Sequence, residues 1–327
     1  MKLLFRTLFA PIIWLLQACN PLGQPVNESI SGNHYFDHSK SDIRYSPMGN
    51  WFELGNSAMN ADVESFEVFN NTIAKDKNRA YFESNAIIHP HLHLESFHGK
   101  PEVYMSNIGL DKNRVYTFNT IYIDGKAKVN TTEISGADPS TFEQLDFNWS
   151  KDSRHYFYRY RLVDVDYQSF HSLNDYFSTD KNRIYVHYYQ HFEPLAVGDP
   201  KTFQVLDKSL YARDRNQVYY LSFPKQTTDH VALLRIPCPG EGGVVLLNPN
   251  YLKCRNKIYY NAIEVVEAQA SDFEIISERY AKDKNNVYFE NTVIPNADVA
   301  SFSYDEERLA VIDKNGIYRN GKLSQEN

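Results

Sequence analysis

One short string, Asp-Lys-Asn-x-x-Tyr, recurs along this chain and limits its fold more than any other feature. It stands at Asp76–Tyr81, Asp111–Tyr116, Asp180–Tyr185, Asp283–Tyr288 and Asp313–Tyr318. Asp214-Arg215-Asn216 with Tyr219 is a close variant. Cys254-Arg255-Asn256 with Tyr259 keeps the spacing with Cys in the Asp position, and Asp152-Ser153-Arg154-His155-Tyr156 is a shortened copy. A Phe precedes most copies at near-constant distance: ten residues for Phe66, Phe142, Phe170 and Phe273, eleven for Phe203 and Phe302, fourteen for Phe97. Two coupled motifs at fixed spacing mean a tandem repeat, in which each unit buries its apolar face only against its neighbours.

The residue types suggest each unit's shape. Asp followed by Lys-Asn or Arg-Asn is a turn signal, because Asp and Asn side chains bond nearby backbone N–H groups and Asn tolerates left-handed φ. Asp76, Asp111, Asp180, Asp214, Asp283 and Asp313 are therefore expected to be structural turn residues. The Val/Ile-Tyr-Tyr/Phe runs that follow read as short strands, and Asn320-Gly321 suits a type I′ hairpin. The Ala-Asp-x-x-Ser/Thr-Phe element before each turn reads as one helical turn. Asp138-Pro139 and Asp199-Pro200 place an N-cap before a proline at the first helical position. Each unit is then two or three strands plus a helical turn, in 28 to 41 residues. An earlier copy at Trp51-Phe52, leading to Asp62 and Phe66, lacks the Asp turn, and the array ends in a half repeat at Tyr318.

Composition agrees. Aromatic residues are 14% of the 327, with 24 Tyr and 20 Phe, and these favour half-buried pleated surfaces. A formal charge of -7 argues against a nucleic-acid partner, which needs a basic footprint. A mean hydropathy of -0.52 excludes a polytopic membrane protein. The predicted fold is all-β: a tandem array of β-hairpin and helical-turn units, elongated and solenoid-like. A β-propeller is the rival, but it needs ~40–45 residues per blade.

Asp-Lys-Asn-x-x-Tyr-Tyr/Phe at this spacing resembles the bacterial DKNYY repeat family over about residues 45–323. That resemblance implies a bacterial, often secreted or lipid-anchored protein. It implies no particular activity.

The N-terminus reads as an address. Lys2 and Arg6 precede the apolar stretch Leu8 to Leu16, which is shorter than the ~20 residues of a spanning helix. Leu16-Gln17-Ala18-Cys19 resembles the lipobox of bacterial lipoproteins. The resemblance implies a signal peptide over 1–18 and lipidation, including palmitate-type acylation, at Cys19. Asn20, where an Asp would favour the inner membrane, implies a Gram-negative outer-membrane location. Cleavage there removes Lys2 and Arg6 and no acid, taking the formal charge from -7 to -9. Residues 19–44 are polar, with Pro21, Pro25, Gly23 and Gly32, and are expected to be a flexible tether to a repeat domain over 45–323.

Few residues suggest chemistry beyond architecture. His89, His91 and His93 alternate, so on a strand three imidazoles share one face and are a weak candidate for a metal; His98 is a possible fourth ligand. The Asp-x-Asn pairs lack the Gly and distal Glu of a calcium loop. The many tyrosines suit either a core or a sugar-stacking strip. Cys238 and Cys254 lie sixteen apart, where the usual Phe is missing and Cys replaces the turn Asp. In an oxidising compartment they are expected to form a disulfide. No catalytic signature such as Gly-x-Ser-x-Gly or His-Glu-x-x-His is present, so no catalytic residue and no cofactor is assigned. The expected function is a lipid-anchored envelope module that binds a protein or envelope component. The alternatives are an immunity protein against a periplasm-delivered toxin and an enzyme with an unrecognised site.

Overall fold

A computed structural model describes residues 20–101, 107–223, 231–240 and 242–324. The expected signal peptide over 1–18 and the expected lipidation site Cys19 lie outside the described residues. The protein is all-β, a series of nine four-stranded antiparallel sheets, none closed into a barrel. Each sheet is a meander of strands adjacent in sequence, spanning 22–58, 67–86, 98–133, 143–163, 171–194, 204–236, 244–264, 274–293 and 303–323. Sheets one to four lie in a compact unit ending at Asp164, and sheets five to nine in a second unit starting at Val165.

Most strands are two to five residues long. The string Asp-Lys-Asn-x-x-Tyr makes the second hairpin of a sheet: in the second sheet Ile73–Lys75 pairs with Ala80–Phe82 across the turn at Asp76. The helical turns are short 3-10 turns at Val63–Ser65 and Leu94–Ser96, capped by Asp62 and His93. Each is followed by the motif Phe, whose ring lies over its own sheet. A Cβ built on Gly109 meets the Phe97 ring at 2.7 Å, so only glycine fits beneath it. Where the facing residue is Ala212 or Ala281, the ring is Phe203 or Phe273 in the same apolar cluster. Burying one such ring contributes roughly 1.5–3 kcal/mol.

Several expectations need correction. The repeat has four strands, not two or three. Residues 19–44 are not a flexible tether, since Leu22–Pro25, His34–Asp37 and Ile43–Tyr45 are strands of the first sheet, with Leu22, His34, Ile43 and Tyr45 buried. The pattern escaped notice because these strands are so short and polar between their few buried residues. That first sheet also has its Asp turn: Asp37 N–H bonds the Asp42 carbonyl and its carboxylate accepts the Ser41 N–H. Two inserted residues disguise it, and Arg44 stands at the register position of the motif tyrosine. The array does not end in a half repeat either, because 303–323 is a complete four-stranded sheet.

Candidate functional site

The carboxylates of the repeated string hold two turns together. Asp76 Oδ1 accepts the N–H groups of Asn78 at 2.7 Å and Arg79 at 2.8 Å. Its Oδ2 accepts the Tyr81 hydroxyl at 2.7 Å and the N–H of Asp62, fourteen residues upstream, at 2.8 Å. The fixed Asp–Tyr spacing therefore sets a hairpin whose second strand brings the phenol back over its own turn. The same four bonds recur at Asp111, Asp180, Asp214 and Asp283. At Asp313 the Asn315 and Asp298 N–H groups and the Tyr318 hydroxyl bind the carboxylate. All six aspartates are at most 8% exposed. A buried carboxylate surrounded by N–H and O–H donors is satisfied without a cation, which is the physical reason this string is no calcium loop.

Electrostatics follow from that geometry. Burial alone pushes the Asp76, Asp111, Asp180, Asp283 and Asp313 carboxyls up. The backbone and tyrosine donors outweigh burial and hold each below the ordinary aspartate range. Tyr219 is pushed up to about 12, by burial first and then by the Asp214 carboxylate.

A second clasp, which the sequence reading missed, joins the same two turns. Ser65 Oγ accepts the Lys77 N–H at 3.0 Å, while the Lys77 ammonium meets Asp62 at 2.7 Å. Lys181 and Lys314 pair with Asp166 and Asp298 in the same way, and Arg215 with Asp199. The signal was present as the constant distance between the Ala-Asp-x-x-Ser/Thr element and the Asp turn. No one motif read alone reveals it.

Tyrosine and lysine carry the stitching from sheet to sheet. Tyr211 in the sixth sheet donates to the Asn250 carbonyl in the seventh, and Tyr251 in the seventh to the Glu290 carbonyl in the eighth. Tyr280 in the eighth accepts the Gly321 N–H of the ninth. Lys75 donates to the carbonyl of Phe97, capping the 3-10 turn there, and Lys282 to the carbonyl of Phe302 after the corresponding non-helical turn. The motif tyrosines are buried core groups and not a sugar-stacking strip.

The three histidines do not form one cluster, although the His89 and His91 rings meet edge-on with centroids 5.8 Å apart. His93 caps a 3-10 turn: its Nδ1 faces Ser96 Oγ at 3.0 Å and its N–H goes to Asp111. His89 lies against the Tyr116 ring, and His91 is exposed. Among the described residues no group of three or more His, Cys, Asp or Glu could hold a metal ion.

Two copies depart from the string. At Asp152 the position five residues on is Phe157, and His155 Nδ1 takes the place of the missing hydroxyl, 3.2 Å from Asp152 Oδ2. At Cys254 the carboxylate is absent, and Cys254 is joined to Cys238 in the expected disulfide, with Cα atoms 6.2 Å apart. Cys238 follows the last strand of the sixth sheet and Cys254 ends a strand of the seventh, so the bond spans two sheets.

These features define a class: an all-β tandem-sheet repeat protein whose motif residues clasp turns and whose preceding strands supply the tyrosines and lysines that join neighbouring sheets. Within that class the chain belongs to the DKNYY family, whose pattern matches residues 50–223 and 188–322. The first sheet lies almost entirely before that match. No curated protein and no solved structure matches the chain.

Proposed function

We propose that this chain is a lipid-anchored cell-envelope protein whose repeat body binds a protein or another envelope component. The observation that carries the reading is the commitment of the repeated chemical groups. Motif aspartates, tyrosines and lysines are spent on clasping turns, and tyrosines and lysines on the strands before those turns are spent on sheet-to-sheet bonds, which makes the repeats a scaffold and leaves recognition to exposed surfaces. The Cys238–Cys254 bond suits an oxidising envelope compartment, as the lipobox-like Leu16-Gln17-Ala18-Cys19 does. Anchoring by several acyl chains is firm, each buried CH₂ adding about 0.8 kcal/mol.

Affinity capture of envelope components with the acylated protein tests the binding reading, and a specific saturable partner is the expected result. Cys19→Ser tests the anchor separately: it should release the protein from the membrane fraction or leave the precursor uncut. A processed, fully membrane-bound variant would refute the anchor.

A further inference from the structure

The edges of the sheets are nearly all short. Among the described residues, every edge strand but one is two to five residues long. Short edges are a device against unwanted strand pairing. The exception is in the third sheet, where the last hairpin joins Val115–Ile123 to Lys126–Glu133 through Asp124-Gly125. Asp124 and Gly125 have φ of 51° and 71°, the left-handed pair of a type I′ turn. Lys126–Glu133 is an eight-residue edge.

The register shows what that edge offers. Ile123 and Lys126 flank the two-residue turn, so they form a hydrogen-bonded pair, as do Ile121 with Lys128 and Asn119 with Asn130. Ala127, Val129 and Thr131 therefore direct their backbone N–H and C=O groups away from the hairpin. These groups have no backbone partner among the described residues. The Thr131 hydroxyl is also buried without a partner. Val129 packs against the apolar cluster shared with the second sheet, which holds the strand in place, while Lys126, Lys128, Asn130 and Thr132 stay exposed.

Charge selects the occupant. Lys75, Lys77, Lys151, Lys181, Lys257, Lys282 and Lys314 each meet a carboxylate. Lys126 and Lys128 have no such partner among the described residues, on a chain of formal charge -7. Paired antiparallel about Val129, a second copy would set Lys126 and Lys128 against Thr132 and Asn130 and bring no acid to either lysine. We propose that Lys126–Glu133 is a strand-addition site for an extended segment of a partner protein carrying acidic residues at alternate positions. Its backbone would pair with Ala127, Val129 and Thr131, and its acids would lie beside Lys126 and Lys128. This site rests on the binding reading and gives it a location.

The test uses the full-length protein and two synthetic capped peptides, one alternating Glu with Val and one alternating Lys with Val. The Glu peptide should slow amide exchange at Ala127, Val129 and Thr131, whose N–H groups have no backbone partner among the described residues. In Lys126→Glu/Lys128→Glu its affinity should fall about tenfold or more, and the Lys peptide should become the better ligand. Ala127→Pro removes one outward N–H while leaving the ladder to Val115–Ile123 intact, and should weaken both peptides. Retained protection at Asn130 checks that the hairpin still forms. Failure of the Glu peptide to protect these amides at millimolar concentration overturns the site, as does binding unaffected by both variants. An envelope partner captured equally well by Ala127→Pro would exclude this edge while leaving the binding reading standing.

Discussion

The seventh and eighth sheets solve one problem in two ways. In the eighth, Asp283 fixes its own turn through the Asn285 and Asn286 N–H groups and reaches back to the Gln269 N–H on the incoming connection. In the seventh, Cys254 stands at the same place and is bonded to Cys238 on its incoming connection. The covalent bond replaces the reach but not the turn. Without carboxylate acceptors Arg255 takes φ 54°, whereas no residue of the Asp283 turn has positive φ. Tyr259, at the position of Tyr288, keeps its ring buried, but its hydroxyl has no hydrogen-bond partner. The aspartate thus does three jobs at once: turn geometry, phenol satisfaction and attachment of the incoming chain. The disulfide does only the last.

Acid should separate the two most widely, because it acts on many clamps together. Asp283 has a depressed pKa when folded: burial raises it, but the Gln269, Asn285 and Asn286 N–H groups and the Tyr288 hydroxyl lower it further. Its contribution is present above the unfolded aspartate pKa of ~3.9 and is lost as pH falls through the lower folded value. The other depressed carboxyls, Asp76, Asp111, Asp152, Asp180 and Asp313, act in the same direction. His34 adds an earlier phase in the first sheet, since burial pushes its pKa down to about 3. The unfolded chain takes up that proton from about pH 6.5 downward and is stabilised by it. Hydrogen exchange between about pH 5 and 2 should show Asn285 and Asn286 losing protection before Lys257 in the seventh sheet does. Simultaneous loss in both sheets would break the comparison.

At neutral pH, Asp283→Ala strands three backbone donors at once, while the Tyr288 hydroxyl can still donate to the Glu267 carbonyl at 3.0 Å, and should cost about 3–4 kcal/mol in urea unfolding. Reduction, or Cys238→Ala/Cys254→Ala, reopens a loop of sixteen residues. It should cost about 3 kcal/mol and loosen the seventh sheet's attachment while leaving the Asp283 turn protected. Cys238→Ala/Cys254→Asp sharpens the point. If the carboxylate is what Tyr259 lacks, that variant should be more stable than the double alanine; equal stability would mean that the turn at Arg255 cannot accept the clamp.

Much of this was legible before any coordinates, and the rest has a physical explanation. The Asp turns, the following strands and the Cys238–Cys254 pair were readable because each is local or rests on a departure from a repeated spacing. Of the two reasons given for the Asp turns, the aspartate's bonds to nearby N–H groups hold, whereas left-handed Asn does not: Asn78, Asn113, Asn182, Asn216, Asn285 and Asn315 do not have positive φ. The first sheet was hidden because its turn carries two extra residues and Arg44 stands where the register puts tyrosine in the other copies. The fourth strand was missed for a different reason. Segments such as Asn85–Ala86 and Thr292–Val293 are two residues long, too short for any period-two signal. The inter-sheet bonds of Tyr211 and Tyr251 join residues thirty-nine apart and leave no local signature.

The smallest expected effect concerns the shortened copy, which tests whether the clamp needs a hydroxyl or only a donor. Asp152 Oδ2 accepts the Asp138 N–H at 3.0 Å and faces His155 Nδ1 at 3.2 Å, while Phe157 fills the tyrosine position with a bare ring. The imidazole is a partly exposed donor, so losing it should cost only about 1 kcal/mol. Phe157→Tyr alone should change little, because the acceptor already has a donor. In the His155→Ala background the same substitution restores a hydroxyl at the fifth position, where Tyr81 and Tyr288 supply one to Asp76 and Asp283. It should recover most of the loss. The comparison is a double-mutant cycle read by urea unfolding, and a coupling of about 1 kcal/mol between the two sites is the expected outcome. Strict additivity would show that His155 serves some purpose other than standing in for the phenol.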